Sequence, residues 1–201
     1  MRTSPRIPSM ASRRARIVAS LLVASGVVAA IPAVRAQGDV FFARARKPDF
    51  QAQKLPNGLG AYEAPKKEWV TRPGEGDALA VLSPRRGEAQ VVFERTQLNQ
   101  PLAVDDITDL FAELERDHQQ ERNPKATAFD VHLFRLGTGL RVAVVQFTRS
   151  GARGAERVRV YAYPVGRDLF RLICSAPADR FATYEPVFAH VAVSFEPRAS
   201  S

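Results

Sequence analysis

The strands in the second half of the chain carry apolar side chains on both of their faces. In the segment predicted as a strand over 139–150, Val142 and Val144 alternate with Ala143 and Val145. Side chains alternate between the two faces of a sheet, so neither face of this strand can be left in water. A covering layer is therefore required on each side of the sheet.

Seven strands and two hairpin turns are predicted from alternation and turn residues. The strands are expected over 60–64, 78–82, 90–98, 127–136, 139–150, 157–165 and 168–175. Gly137-Thr138 and Gly166-Arg167 are typical of tight hairpin turns, which makes the last four strands an antiparallel meander. A short closing strand is expected over 193–195.

Two helices interrupt the strands. Apolar residues at i, i+3, i+4 and i+7 predict an amphipathic helix whose apolar stripe faces the sheet: Ile107, Leu110, Phe111 and Leu114. Asp105 or Asp106 is expected to cap this helix, and Asn123-Pro124 to end it. A second helix is predicted around Phe181 to Val191, capped by Ser175 or Asp179. The expected fold is α+β: a single-domain α/β/α sandwich with an antiparallel sheet of six to eight strands and one helix on each face.

The first 36 residues resemble an export signal. They hold six arginines and no acid, and an apolar run over 17–33 precedes Val34-Arg35-Ala36, which offers small residues for a signal peptidase. Without them the chain has 23 basic and 21 acidic residues, so the pI of about 10.2 does not indicate nucleic-acid binding. The protein is therefore predicted to be periplasmic or secreted in a bacterium. The general secretory route is expected, with the twin-arginine route as the alternative suggested by Ser12-Arg13-Arg14.

The remaining boundaries follow from composition. We predict a cleaved signal peptide over 1–36, an extended N-terminal arm over 37–58, a globular domain over 59–196 and a tail over 197–201. After cleavage, no segment is expected to span a membrane. Retention of 17–34 as an anchor is the alternative. A single cysteine, Cys174, excludes an internal disulfide.

The sequence contains no convergent catalytic set. Cys174 lies in the middle of a predicted strand, where a buried apolar role is favoured over that of a nucleophile. His118, His132 and His190 are not spaced like metal ligands. No catalytic residue, metal or cofactor is therefore predicted, and the protein is expected not to be an enzyme.

One candidate binding surface is predicted on the third strand of the meander. Arg157, Arg159, Tyr161 and Tyr163 share a face, and Arg141 of the neighbouring strand can lie on the same side. Arginine and tyrosine are favoured at binding hot spots. The alternative is that the tyrosines pack beneath a helix while the arginines surround it in water.

A second candidate surface is acidic. Asp105, Asp106, Asp109 and Glu113 are expected on the face of the first helix opposite its apolar stripe. They are interpreted as solubilising and capping residues, with an acidic docking surface as the alternative.

Three stretches resemble the PsbP-like superfamily. Tyr62-Glu63-Ala64-Pro65 followed by Trp69 is similar to its opening, and Gly139–Thr148 to its central strand. Tyr163–Leu172 leading into Ser175-Ala176-Pro177 resembles its strand and capped helix. The resemblance implies a largely non-catalytic, protein-binding fold, and the short leader favours the DcrB-like bacterial envelope branch over a photosystem subunit.

The predicted function is that of a non-enzymatic exported envelope accessory protein. It would recognise a protein or an anionic envelope component, without binding nucleic acid. The alternative is a small-ligand carrier or a hydrolase with a cryptic pocket between helix and sheet.

Overall fold

The computed structural model describes residues 50–103 and 106–199. Among these residues two helices and nine strands follow in the order β1 (Phe50–Lys54), β2 (Gly60–Pro65), β3 (Trp69–Pro73), β4 (Ala78–Pro84), β5 (Gln90–Leu102), α1 (Asp109–Arg122), β6 (Thr127–Arg135), β7 (Arg141–Gly151), β8 (Gly154–Pro177), α2 (Phe181–Ser194) and β9 (Glu196–Pro197). The predicted signal peptide over 1–36 lies outside the described residues. The predicted arm over 37–58 contains, from Phe50 on, a strand paired with β2.

The strands form two antiparallel sheets rather than one. The small sheet has the order β1-β2-β9, and the large sheet the order β3-β4-β5-β8-β7-β6. The 24-residue β8 pairs with β7 through its first half and with β5 through its second. The N–H of Ala178 donates to the carbonyl oxygen of Ala155 at 2.9 Å, so the ends of β8 meet. The reversal lies at exposed Gly166, with φ 60°, which confirms the predicted hairpin turn.

Each face of the large sheet is covered, and the expected α+β sandwich is confirmed. The main core lies between this sheet, α2 and the small sheet, and includes Tyr62, Phe93, Tyr163, Phe188 and Phe195. Two smaller clusters lie on the opposite face, where Ala112 of α1 packs on Ala143, Ala162 and Leu169, and where Val145, Phe147, Val158 and Val160 pack together. The two helices therefore cover opposite faces of the sheet.

The predicted apolar stripe of α1 is confirmed for Ile107, which is buried, and for Phe111, which packs against the sheet, but it is wrong for Leu110 and Leu114. Leu110 and Leu114 are 67% and 58% exposed, while Glu115 and Gln119 are buried. Arg171 of β8 causes this, because it points towards α1 and is held by both carboxylate oxygens of Glu115 at 2.8 Å. An unpaired buried guanidinium would be more costly than two exposed leucines, so the helix turns its acid inwards.

The ends of the helices also differ from expectation. Thr108 and Arg180 are the N-cap residues of α1 and α2, and neither makes a side-chain capping bond. Asp106 instead accepts a bond from the N–H of Ala103 at 2.9 Å. Asn123 follows the last residue of α1, as predicted. The strand expected over 193–195 is wrong, because 193 and 194 continue α2 and pairing resumes only in β9.

Candidate functional site

The predicted arginine and tyrosine residues on β8 do share one face, and that face is turned towards α2. Tyr161 and Tyr163 are fully buried. The hydroxyl of Tyr163 donates to the carbonyl oxygen of Ala192 in α2 at 2.8 Å. Burial raises the pKa of both phenols, which keeps them protonated. Their rings therefore belong to the core and offer no surface to a partner.

Arg159 joins β8 to α2. Its side chain is only 4% exposed. Its Nη2 lies 2.7 Å from Gln146 Oε1 and 2.7 Å from Glu185 Oε1, and its guanidinium lies 5.2 Å from the ring centre of Phe181. Arg157, two residues earlier, is exposed and lies 5.7 Å from the same ring. Of the predicted set on β8, only Arg157 presents its side chain to solvent.

Arg141 does not lie on the face predicted for it. The register pairs Val144 with Tyr161, so the even-numbered residues of β7 share the face of Tyr161. Arg141 therefore points to the opposite face, where its Nη1 donates to the carbonyl oxygen of Ile107 at 2.7 Å. It holds the chain leading into α1, a role that strand alternation without the register could not show.

The thiol and the histidines are widely separated. Cys174 is fully buried, and burial raises the pKa of its thiol far above the ordinary range. His118 lies on α1, and His132 pairs with Asp130 at 3.0 Å on β6. Within 50–103 and 106–199, no three His, Cys, Asp or Glu side chains come together as metal ligands. The interpretation of Cys174 as a core residue agrees with its burial.

A cavity of about 360 Å³ lies between α2 and the small sheet. His190 of α2 lines it, with Nε2 2.7 Å from Glu63 Oε2 of β2 and its ring stacked on Phe50 at 3.6 Å. The other ring nitrogen, His190 Nδ1, is buried and has no hydrogen-bond partner among the described residues. No local pattern indicates the pair of His190 and Glu63, because its members are 127 residues apart and meet only where α2 packs against β2.

Ser194 lines the same cavity but is held by the backbone. Its Oγ accepts a bond from the N–H of Glu63 at 3.0 Å and donates to the carbonyl oxygen of Val191 at 3.2 Å. His190 Nε2 is directed to Glu63 rather than to this hydroxyl. The arrangement lacks the base-to-nucleophile hydrogen bond that activates a serine.

Helix α1 presents an exposed line of side chains to solvent. We call this line the outer ridge of α1 and define it by four residues: Leu110, Leu114, Asp117 and Glu121. These residues follow at i, i+4, i+7 and i+11, so they lie along the line of the helix that points away from the sheet. All four are exposed. The ridge therefore combines an adjacent pair of apolar side chains with carboxylates.

The layer order and the strand pairing define the class: this chain has a PsbP-like fold. The solution structure of cyanobacterial PsbP (CyanoP) from Synechocystis sp. PCC 6803 superposes with a TM-score of 0.58 at 12% identity, covering 75% of this chain and 93% of that one. A crystal structure from Bacteroides thetaiotaomicron gives a TM-score of 0.50 at 12% identity over 75% of this chain, which spans 49% of that protein. Such low identity shows the fold alone.

Comparison with protein-family models and with curated proteins finds no match. Among the described residues, no helix is both long enough and apolar enough to cross a membrane.

Proposed function

We propose that this protein is a non-enzymatic accessory protein of the bacterial envelope, from the DcrB-like branch of the PsbP-like superfamily, that is exported to the periplasm or secreted. It recognises a protein partner through the outer ridge of α1. The observation that carries the proposal is the exposure of Leu110 and Leu114, 67% and 58%, on adjacent turns of one helix.

The exposed leucines offer binding energy that folding does not use. Complete burial of a leucine side chain is worth about 1.5–3 kcal/mol, so covering this pair contributes about 2–4 kcal/mol to association. Rotation of α1 cannot bury them within the domain, because Glu115 would then leave Arg171. Within the part of the chain that the structure describes, this apolar surface stays in water, and binding of a partner would remove it.

The charges around the leucines indicate the chemistry of the partner. Asp109 and Glu121 are exposed and form no ion pair with a described residue, and Asp117 shares Arg116 with Glu113. The ridge thus has a negative field around an apolar centre. Complementarity favours a protein segment with apolar side chains set among lysines and arginines.

The test places a photo-crosslinking amino acid at position 114 in cells and identifies the protein captured there. The affinity of that purified protein is then measured for the wild type and for Leu110→Ser/Leu114→Ser. We expect a loss of at least tenfold in the double variant, with no change in Gln120→Ser, a control on an exposed part of the same helix. Equal affinity of both variants and the wild type would exclude the ridge as the surface that binds the partner.

The second candidate is a small-ligand carrier or hydrolase, and the cavity beside His190 favours it. The cavity falls within the range of small-molecule sites and carries polar groups from Glu63, Ser194 and Glu196. A fluorophosphonate that labels the wild type but not Ser194→Ala would support a hydrolase. A ligand that stabilises the wild type against heat but not a cavity-filling Ala61→Leu variant would support a carrier.

A further inference from the structure

We propose that one end of the large sheet, beside the first turn of α2, binds the surface of an anionic phospholipid bilayer. This basic end is defined by six side chains: Lys66, Lys67, Arg85, Arg86, Arg157 and Arg180. All six are exposed. The inference is independent of the outer ridge of α1, because helix α1 lies on the other face of the sheet.

Backbone pairing brings together the two turns that carry four of these residues. Trp69 pairs with Pro84, and the N–H of Arg85 donates to the carbonyl oxygen of Glu68 at 2.5 Å, so the β2–β3 and β4–β5 turns are adjacent. A Cβ built on Gly87 would lie 2.8 Å from Tyr184 Oη, so the second turn lies against α2.

The other two members flank the start of α2. Arg180 is the N-cap residue of the helix, and Arg157 lies over the ring of Phe181 in its first turn. The first turn of α2 contains no acidic residue, so the positive end of the helix dipole adds to the basic charges.

Within 50–103 and 106–199, the six cations are not neutralised by ion pairs. None of them has an acidic partner within 4 Å in the described part of the chain, whereas Arg153 at the same end pairs with Glu88. Glu68 and Asp179 are the nearby acids outside ion pairs, and they reduce the charge of the basic end to about +4. Like charges left together at a surface are costly for the fold and favour an anionic counterpart.

The spread of the charges favours a surface over a single phosphate. Neighbouring strands lie about 4.8 Å apart, so the span from β3 across β4 and β5 to both passes of β8 is about 20 Å. The half-buried rings of Trp69 and Tyr184, 6.1 Å apart, lie at the same end, and such rings favour the headgroup region. The acidic ridge of α1 faces elsewhere, so an anionic bilayer would select this orientation of the domain.

The experiment is flotation of the full chain with vesicles of 30% phosphatidylglycerol in phosphatidylcholine, compared with pure phosphatidylcholine. Each surface cation contributes about fivefold to partitioning. We therefore expect Arg85→Gln/Arg86→Gln to lower partitioning about 25-fold, and Lys66→Gln/Lys67→Gln to do the same independently. The matched control is Arg135→Gln/Arg198→Gln, which removes two exposed arginines from the opposite end and should change partitioning less than twofold. All variants share residues 1–49, so any contribution of that segment cancels.

Two results would overturn the proposal. Equal partitioning of all variants would show that the basic end makes no contact with lipid, and an equal loss in the control would show that net charge alone matters. Inorganic phosphate at constant ionic strength should not compete. Competition by inorganic phosphate would indicate that the basic end binds a discrete phosphate group rather than a bilayer surface. None of these outcomes bears on affinity at the α1 ridge, which the crosslinking test measures separately.

Discussion

Replacement of Glu115 by alanine is expected to be among the most destabilising single changes on α1. Glu115 and Arg171 are 2% and 6% exposed in their side chains, and they share two bonds of 2.8 Å. Arg171 keeps only its bond to Thr96 Oγ1 at 2.9 Å when the carboxylate is removed. Removing one partner of a buried pair leaves an uncompensated charge, which costs about 3–5 kcal/mol.

Urea denaturation of purified protein measures this loss. For an m-value of about 2 kcal/mol per molar, the midpoint should fall by about 2 M. Thermal unfolding should shift by about 10 °C. Glu113→Ala is the matched control on the same helix, because Glu113 and Arg116 are 46% and 37% exposed and such pairs contribute about 0–1 kcal/mol.

A third variant separates the buried charge from simple loss of packing. Glu115→Leu/Arg171→Met removes both charges and keeps similar volume, so its stability should be close to that of the wild type or higher. The reasoning is refuted if Glu115→Ala costs no more than Glu113→Ala. It is also refuted if the double variant is as unstable as the single one, since the orientation of α1 would then not depend on the pair.

Three further predictions concern single side chains. Burial and the charge of Arg171 lower the pKa of His118 below its ordinary 6.5. The unfolded chain then binds more protons, so stability should fall as the pH drops below about 6.5, and His118→Gln should weaken this fall in urea titrations at pH 8 and pH 5.5. Tyr163→Phe loses the bond to Ala192 and should cost about 1 kcal/mol in the same assay, whereas an unchanged midpoint would contradict the bond. Cys174 should not react with a thiol reagent in native buffer and should react fully in denaturant. Fast native labelling would show that it is accessible.

The two helices, the strands from β4 to β8 and the two-sided burial of the sheet could be predicted because they depend on local patterns, whereas β1 and β3 were not predicted. Alternation in β7 and the glycine turn at Gly166 depend on residues close in the chain. The separation of β1, β2 and β9 into their own sheet could not be predicted, since it depends on which strands pair across the whole chain.

The buried face of α1 could not be predicted from the spacing of its apolar residues, for a related reason. Counting apolar residues favours Leu110 and Leu114 as the inner face, and nothing within the helix indicates otherwise. The signal lies in β8, where Arg171 interrupts an apolar strand on the same face as Leu169 and Ile173. A buried arginine in that position requires an acidic partner from the element that covers it, and Glu115 of α1 supplies that partner.

The pairing of β5 with the second half of β8 has a consequence for the order of folding. The meander from β6 to β8 consists of neighbouring hairpins, which close short loops. Gln97 and Asp168, a pair of the β5–β8 ladder, are separated by about 70 residues, including all of α1. We therefore expect the meander to form first and β5, with β3 and β4 attached to it, to dock afterwards. Substitutions in β5 should mainly speed unfolding, while substitutions in β7 should mainly slow refolding.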